Sequence, residues 1–236
     1  RRDTYWTGKA MTRIASLIPV ARQLGETTSA TLLFAQLRAR VRDWLDYSAG
    51  ETEEFFYYDD RWGTLIGFPV SFGSNTDLND HHFHYSHFLD GAATIARYDA
   101  NFVTDYGGMV ELLIRDANSP HRDDPLFPFL RAFDPYAGHS WASGHGSFER
   151  GNNQESSSEA LHFARSLFLW AIEAGDDELR DLGIYLYRTE LEAVEQYWFD
   201  VDDVVFPEAF DHTTVGIVWG DGGAYDTWFS SAASSI

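Results

Sequence analysis

The sequence contains no cysteine. This absence excludes a disulfide framework, catalysis by a thiol and metal sites built from thiolates. It leaves the cellular compartment open, because large domains are secreted without disulfides. No apolar run approaches the roughly 18 residues of a membrane-spanning helix. The first residues do not resemble a signal peptide, and both ends of the sequence are typical of the interior of a protein, so we expect a fragment of a longer chain.

Basic residues are scarce. Lysine and arginine number 17 against 37 aspartates and glutamates, which gives a formal net charge of −20. Such a chain repels the phosphate backbone of nucleic acids and anionic membranes, but it does not repel a neutral polymer. We therefore expect neither nucleic acid nor a membrane as a partner.

Aromatic residues are abundant, with 8 Trp, 12 Tyr and 18 Phe in 236 residues. A chain of this length forms one large domain with a sizeable core, which takes most of these rings. Surplus Trp and Tyr often line grooves for sugar rings, because their faces are apolar and their edges polar.

Apolar residues at helical spacing predict six helices, which we place at about 5–24, 28–47, 79–98, 102–116, 155–174 and 177–199. Short strands are predicted within 55–68 and a hairpin within 201–219. The Pro- and Gly-rich stretch 117–153 is a long irregular segment, and such segments are usually functional. Successive helical hairpins pack as a solenoid or a closed toroid. We predict a mainly α fold, part of an (α/α)6 toroid with short β-hairpins in its loops, and this chain supplies about half of the helices of such a toroid.

Glu155 and Glu159 form the first chemical pair. Their spacing at the predicted start of a helix puts both on one face, one turn apart. Two acids that close cannot both ionise freely, so one pKa should rise, as acid/base catalysis requires. Alternatively, Glu155 only stabilises the helix dipole, and Ser156 with Glu159 forms a capping box. The preceding segment 138–146, rich in Gly, His and Trp, favours a functional site because ordering it is costly.

The second concentrated segment is 79–87. Asp80 is a candidate general acid at a helix start, or it only caps that helix. A metal site is the third interpretation, although the spacing matches no recognised motif. Its candidate ligands are Asp80, His81, His82, His84 and His87.

Several long motifs occur in a fixed order along nearly the whole chain. They are Asn79-Asp80-His81-His82-Phe83-His84-Tyr85, Gly138-His139-Ser140-Trp141-Ala142 and Asn153-Gln154-Glu155-Ser156-Ser157-Ser158-Glu159-Ala160. With them the sequence resembles glycoside hydrolase family 81, the endo-β-1,3-glucanases that act on laminarin, curdlan and cell-wall glucan. It departs from the family pattern at Ser86 and Asn152, where glycine and lysine are usual; neither position is a proposed catalytic carboxylate.

The resemblance implies inverting hydrolysis of β-1,3-glucan by a secreted enzyme that uses no metal or other cofactor. It implies that residues 1–236 are an incomplete catalytic (α/α)6 domain, with a β-sandwich domain and the final helices elsewhere in the parent chain. By motif, Asp80 corresponds to the general acid, Glu155 to the general base and Glu159 to a carboxylate that tunes Glu155 or holds the water. The oligomeric state is left open.

Inverting chemistry requires two carboxyls about 6.5–9.5 Å apart with room for a water. Glu155 and Glu159 point the same way, so the distant Asp80 is the better partner, and we predict that its pKa is raised. Candidate sugar contacts are His82, His84, Tyr85, His139 and Trp141, each of which can instead serve packing or a supporting hydrogen bond. Two other functions stay open, a glucan-binding module without catalysis and a metal-dependent enzyme centred on 80–87.

Overall fold

The computed structural model describes residues 2–228 and 230–236. Within these residues the helices are α1 (Thr4–Gln23), α2 (Thr27–Leu45), α3 (His81–Ala96), α4 (Asn101–Asn118), α5 (Ser157–Ala174) and α6 (Asp177–Tyr197), with a short 3-10 helix at Ala233–Ser235. The strands are β1 (Phe55–Asp59), β2 (Thr64–Phe68), β3 (Phe133–Asp134), β4 (His139–Ser140), β5 (Asn153–Gln154), β6 (Ile217–Trp219) and β7 (Gly222–Ala224). The mainly α prediction is confirmed, whereas closure into a toroid stays a prediction.

Three of the helices have an identifiable beginning or end. Asp3 caps α1, because its carboxylate accepts the N–H of Trp6 at 2.9 Å. Between α5 and α6, Gly175 adopts the left-handed conformation (φ 70°) that ends a helix, and Asp176 then caps α6. The predicted break between these two helices is confirmed.

The helices pack as three consecutive hairpins around α3. Helix α3 contacts α1, α4 and α5, and α1 pairs with α2 as α5 does with α6. All of its 16 residues except Thr94 are buried. A helix that is buried all round lies inside the core. Its Gly91 allows close approach of α2, since a Cβ there would lie 3.0 Å from Val41.

Short antiparallel strands pair within and between the segments that join the helices. Strands β1 and β2 form an antiparallel hairpin with Phe55 opposite Phe68, as predicted. Strand β5 pairs with β6, and β6 with β7, so that Asn153 lies opposite Trp219. The hairpin predicted within 201–219 is wrong in position, because the observed turn follows β6 at residues 220–221.

Candidate active site

Asp80 precedes α3 and does not cap it. Its backbone is left-handed (φ 61°), and its side chain makes no capping hydrogen bond. The Asp80 N–H instead donates to the carbonyl of Ala142 at 2.8 Å. A non-glycine residue at positive φ is strained, and such strain persists only where the surroundings impose it. The capping interpretation of Asp80 is therefore wrong.

The carboxyl of Asp80 has a perturbed acidity. Burial, followed by the charges of Glu155 and Glu159, raises its pKa well above the usual value. All three effects disfavour the ionised form, the first by desolvation and the others by repulsion. The predicted rise of this pKa is thus found, and the coupling brings two distant segments of the chain into one electrostatic unit.

Glu155 lies outside the helix, which corrects the predicted geometry. Helix α5 begins at Ser157, while Glu155 occupies the single position between strand β5 and the N-cap Ser156. The strand pairing of Gln154 with Val218 keeps the chain extended up to this point. Glu155 and Glu159 are consequently not one turn apart on a common helix face.

Burial raises the pKa of Glu155, the backbone N–H of Trp228 opposes this rise, and the Glu159 charge adds to it. That N–H reaches the Glu155 carboxylate at 3.4 Å. The predicted rise is found, but desolvation outweighs the neighbouring acid as its cause.

Glu159 is an ion-paired carboxylate in the first turn of α5. It accepts from Lys9 Nζ at 3.3 Å and from the hydroxyl of Ser156 at 2.8 Å. Because the Ser156 hydroxyl turns to the Glu159 side chain, it makes no capping bond to the helix backbone, so the predicted capping box is wrong.

A buried charge network includes His81, the residue after Asp80. Asp116 is fully buried and accepts from Arg131 at 2.6 Å and from the Thr64 hydroxyl at 2.7 Å. His81, next to Asp80 in sequence, places Nδ1 2.8 Å from the same carboxylate. The network ties the start of α3 to α4 and β2.

Three of the predicted sugar contacts are buried and bonded to protein. His82 Nε2 lies 3.1 Å from the Ser140 hydroxyl, and His84 Nδ1 lies 2.8 Å from the Thr4 hydroxyl. The Tyr85 hydroxyl donates to the carbonyl of Leu65 at 2.7 Å. Helix α3 is enclosed on all sides, so these side chains have no surface for a ligand, and direct sugar contact by His82, His84 and Tyr85 does not fit this structure.

The other two, His139 and Trp141, line an open cleft of about 760 Å³, but His139 is 2% exposed, so of these two Trp141 is the one with an accessible ring. The indole N–H of Trp141 donates to Asp134 at 3.2 Å, and its ring centroid lies 4.4 Å from that of His139. The cleft is also lined by Asp134, Tyr197, Phe206, Phe210, Trp219 and Asp221. Its mixture of flat rings and carboxylates suits a neutral, hydroxyl-rich ligand.

Trp219 and Trp228 were missed as site residues by the sequence reasoning. Trp219 lies opposite Asn153 in the sheet, and its ring centroid is 4.9 Å from that of Trp228. Trp228 binds Asn153 through its indole N–H at 3.1 Å and Glu155 through its backbone. For Trp219 the available signal was its place beside Gly220 in a segment without helical spacing, whereas Trp228 has no such neighbour.

The histidines of 81–87 do not converge on a common point. His81 binds Asp116 and the carbonyl of Ser74, while His87 Nδ1 lies 2.9 Å from the Thr12 hydroxyl. Across residues 2–228 and 230–236, no group of three or more His, Asp or Glu side chains is placed to hold a metal ion. The donor geometry therefore does not favour the metal interpretation.

Among the residues that the structure describes, no helix is long and apolar enough to cross a membrane.

Comparison with known proteins gives concordant matches. The family model described as "Glycosyl hydrolase family 81 C-terminal domain" matches residues 1–236. A glucan endo-1,3-beta-D-glucosidase of Thermobifida fusca is 52% identical over 236 residues, which are 99% of this chain and 31% of that protein. Its namesake in Acetivibrio thermocellus is 47% identical over 234 residues, 98% of this chain and 30% of that protein.

A solved structure also matches. It is a glycoside hydrolase family 81 protein from Clostridium thermocellum, with a TM-score of 0.97 and 46% identity, and the match covers 99% of this chain and 33% of that one. The chain spans about a third of the length of these relatives.

Proposed function

Because the chain belongs to glycoside hydrolase family 81, we propose that it forms part of the catalytic domain of an endo-β-1,3-glucanase. The proposed substrates are laminarin- and curdlan-type glucans. The observation that supports this best is the raised pKa of Asp80, caused by burial and by Glu155 and Glu159. A carboxyl kept protonated beside acids that can ionise is the arrangement that glycoside hydrolysis needs.

In the proposed mechanism Asp80 is the general acid and Glu155 the general base. Asp80 donates its proton to the glycosidic oxygen as the bond from that oxygen to the anomeric carbon breaks. A water bonds to the anomeric carbon from the opposite face and gives its proton to Glu155. The product has inverted configuration, and proton exchange with solvent restores both carboxyls.

Glu159 serves this mechanism as a fixed negative charge. Its ion pair with Lys9 holds it on the α5 side of the site, and its charge helps to keep Asp80 protonated. The cleft beside β6 offers Trp141 and Trp219 to the faces of glucose rings.

The proposal extends to the longer protein. We place residues 1–236 within an (α/α)6 catalytic domain that further helices complete, preceded by a β-sandwich domain. A polysaccharide substrate requires secretion of the whole enzyme, because a glucan of cell-wall size does not enter a cell. Recovery of glucanase activity from culture medium, and not from washed cells, is the expected result.

The test uses the full-length protein and laminarin. We expect Asp80→Asn and Glu155→Gln each to lower the release of reducing ends by about 10²–10⁴-fold while the fold is retained. The control is Glu192→Gln, at an exposed glutamate that pairs with Arg188 one turn away. Nuclear magnetic resonance should show the α-anomer as the first product. Near-normal hydrolysis by Glu155→Gln would sink the assignment, and glucan binding without any turnover by the wild type would indicate a binding module instead.

A further inference from the structure

Glu190 on α6 is a buried carboxylate that the mechanism above does not use. It is 2% exposed. Its Oε1 oxygen accepts hydrogen bonds from both donors of Ser140, the backbone N–H at 3.1 Å and the hydroxyl at 2.7 Å. Burial raises the pKa of Glu190 to about 7, although the Ser140 bonds lower it. Among the described residues no Lys, Arg or His forms an ion pair with it. A buried acid without a cation is costly, so its geometry needs an explanation.

Ser140 also forms hydrogen bonds with Gln154. The Gln154 amide nitrogen donates to the Ser140 carbonyl at 2.9 Å and to the Ser140 hydroxyl at 2.8 Å. A serine hydroxyl has one proton and two lone pairs. Because its proton is donated to Glu190, both lone pairs can accept hydrogen bonds. One accepts from Gln154, and the other faces His82 Nε2 at 3.1 Å.

Gln154 in turn holds the residue after Glu155. Its amide oxygen accepts the backbone N–H of Ser156 at 3.1 Å. With the nitrogen committed to Ser140 and the oxygen to Ser156, the amide has one possible orientation. The side chain of Gln154 therefore spans Glu155 and holds the peptide unit that follows it.

We propose that Glu190 is a positioning residue for the general base, and that it fixes the backbone around Glu155 through Ser140 and Gln154. The inference rests on the proposed function of Glu155. Glu155 lies in a loop, where helix geometry does not hold it, so its aim depends on these bonds. A misplacement of about 1 Å lowers catalysis by about 10²-fold.

The test compares two substitutions in the full-length enzyme. Glu190→Gln keeps the Oε1 acceptor with the same shape, and we expect kcat within about threefold of wild type. Glu190→Leu removes the acceptor, and we expect kcat to fall about 10- to 100-fold while KM changes less than about twofold. The matched control is Leu186→Ala on the same helix, where a buried core side chain is truncated. It should lower Tm and leave kcat of the folded enzyme unchanged.

Each outcome decides the question. Unchanged kcat in Glu190→Leu, or an equal loss in Glu190→Gln, would overturn the positioning role. If Glu190→Leu does not fold, Gln154→Leu removes the bonds from the Gln154 side chain to Ser140 and to the Ser156 N–H and should show the same fall in kcat; unchanged kcat there also overturns the role. Glu155→Gln, measured alongside, separates the two claims. If it stays active the proposed function fails, whereas if it is inactive and Glu190→Leu is normal only the positioning inference fails.

Discussion

Replacement of Arg131 by methionine should destabilise the fold strongly. Arg131 donates to Asp116 Oδ2 at 2.6 Å and to the Asp116 carbonyl at 2.9 Å, and Asp116 is fully buried. Removing one partner of a buried ion pair leaves an uncompensated charge and costs about 3–5 kcal/mol. For a chain of this size each kcal/mol lowers Tm by about 2–4 °C, so a fall of about 6–20 °C is expected. Thermal unfolding followed by circular dichroism measures it.

The loss of stability in Arg131→Met should depend on pH, through the protonation of Asp116. Burial alone would raise the pKa of Asp116, but the charges of Arg131 and His81 and its hydrogen bonds outweigh burial and lower it. A lowered pKa contributes stability above the unfolded-state value, about 3.9, and this stability is lost as pH falls through the folded-state pKa. In Arg131→Met burial prevails and the pKa of Asp116 rises, so the charge-related loss of stability relative to wild type is complete above this raised pKa, shrinks as pH falls and vanishes below the lowered pKa of the wild type. The Tm difference should therefore narrow as pH falls towards 4.

A second substitution tests whether the stranded charge is the cause. In Arg131→Met combined with Asp116→Asn, the Asn oxygen retains the bonds from the Thr64 hydroxyl and the Leu65 N–H, both made to Oδ1. The double variant should be more stable than Arg131→Met alone. A loss below about 1 kcal/mol for Arg131→Met would refute the reasoning, as would a double variant that is the less stable of the two.

Two further predictions concern the site and the helix packing. Glu159→Gln removes a charge that, together with burial, raises the pKa of Asp80. Asp80 then stays protonated over a narrower pH range, and the alkaline limb of kcat/KM for laminarin should move to lower pH. A limb that stays in place or moves to higher pH contradicts this prediction. Gly183→Ala should destabilise the fold, because its Cβ would lie 2.9 Å from the backbone nitrogen of Phe168. The cost of overpacking, about 1–3 kcal/mol, should exceed the gain of about 1 kcal/mol from the higher helix propensity of alanine. Its control, Gly108→Ala in α4, meets no atom within 4 Å and should raise Tm; a stabilised Gly183→Ala would contradict the close contact of α5 and α6.

The helices were predictable because their signals are local. Apolar spacing and caps within a few residues decided α1, α2 and α6, and their bounds differ from prediction by at most two residues. The start of α5 was wrong by two residues, because strand pairing of Gln154 with Val218 competes with the helix. No local pattern around Gln154 predicts pairing with a strand more than 60 residues further along the chain.

Local sequence patterns were enough to predict the helical hairpins and to identify the acidic residues and motifs that indicate glycoside hydrolysis. Which of those groups are accessible, and how acidic they are, depends on the folded arrangement of distant segments. His82, His84 and Tyr85 have the chemistry of sugar contacts, yet α3 is enclosed by its neighbours. The pKa of Asp80 depends on burial and on carboxylates from another segment, and Glu155 is held through Gln154 and Ser140. Desolvation and hydrogen bonding are properties of assembled neighbours, so they appear only when distant parts of the chain meet.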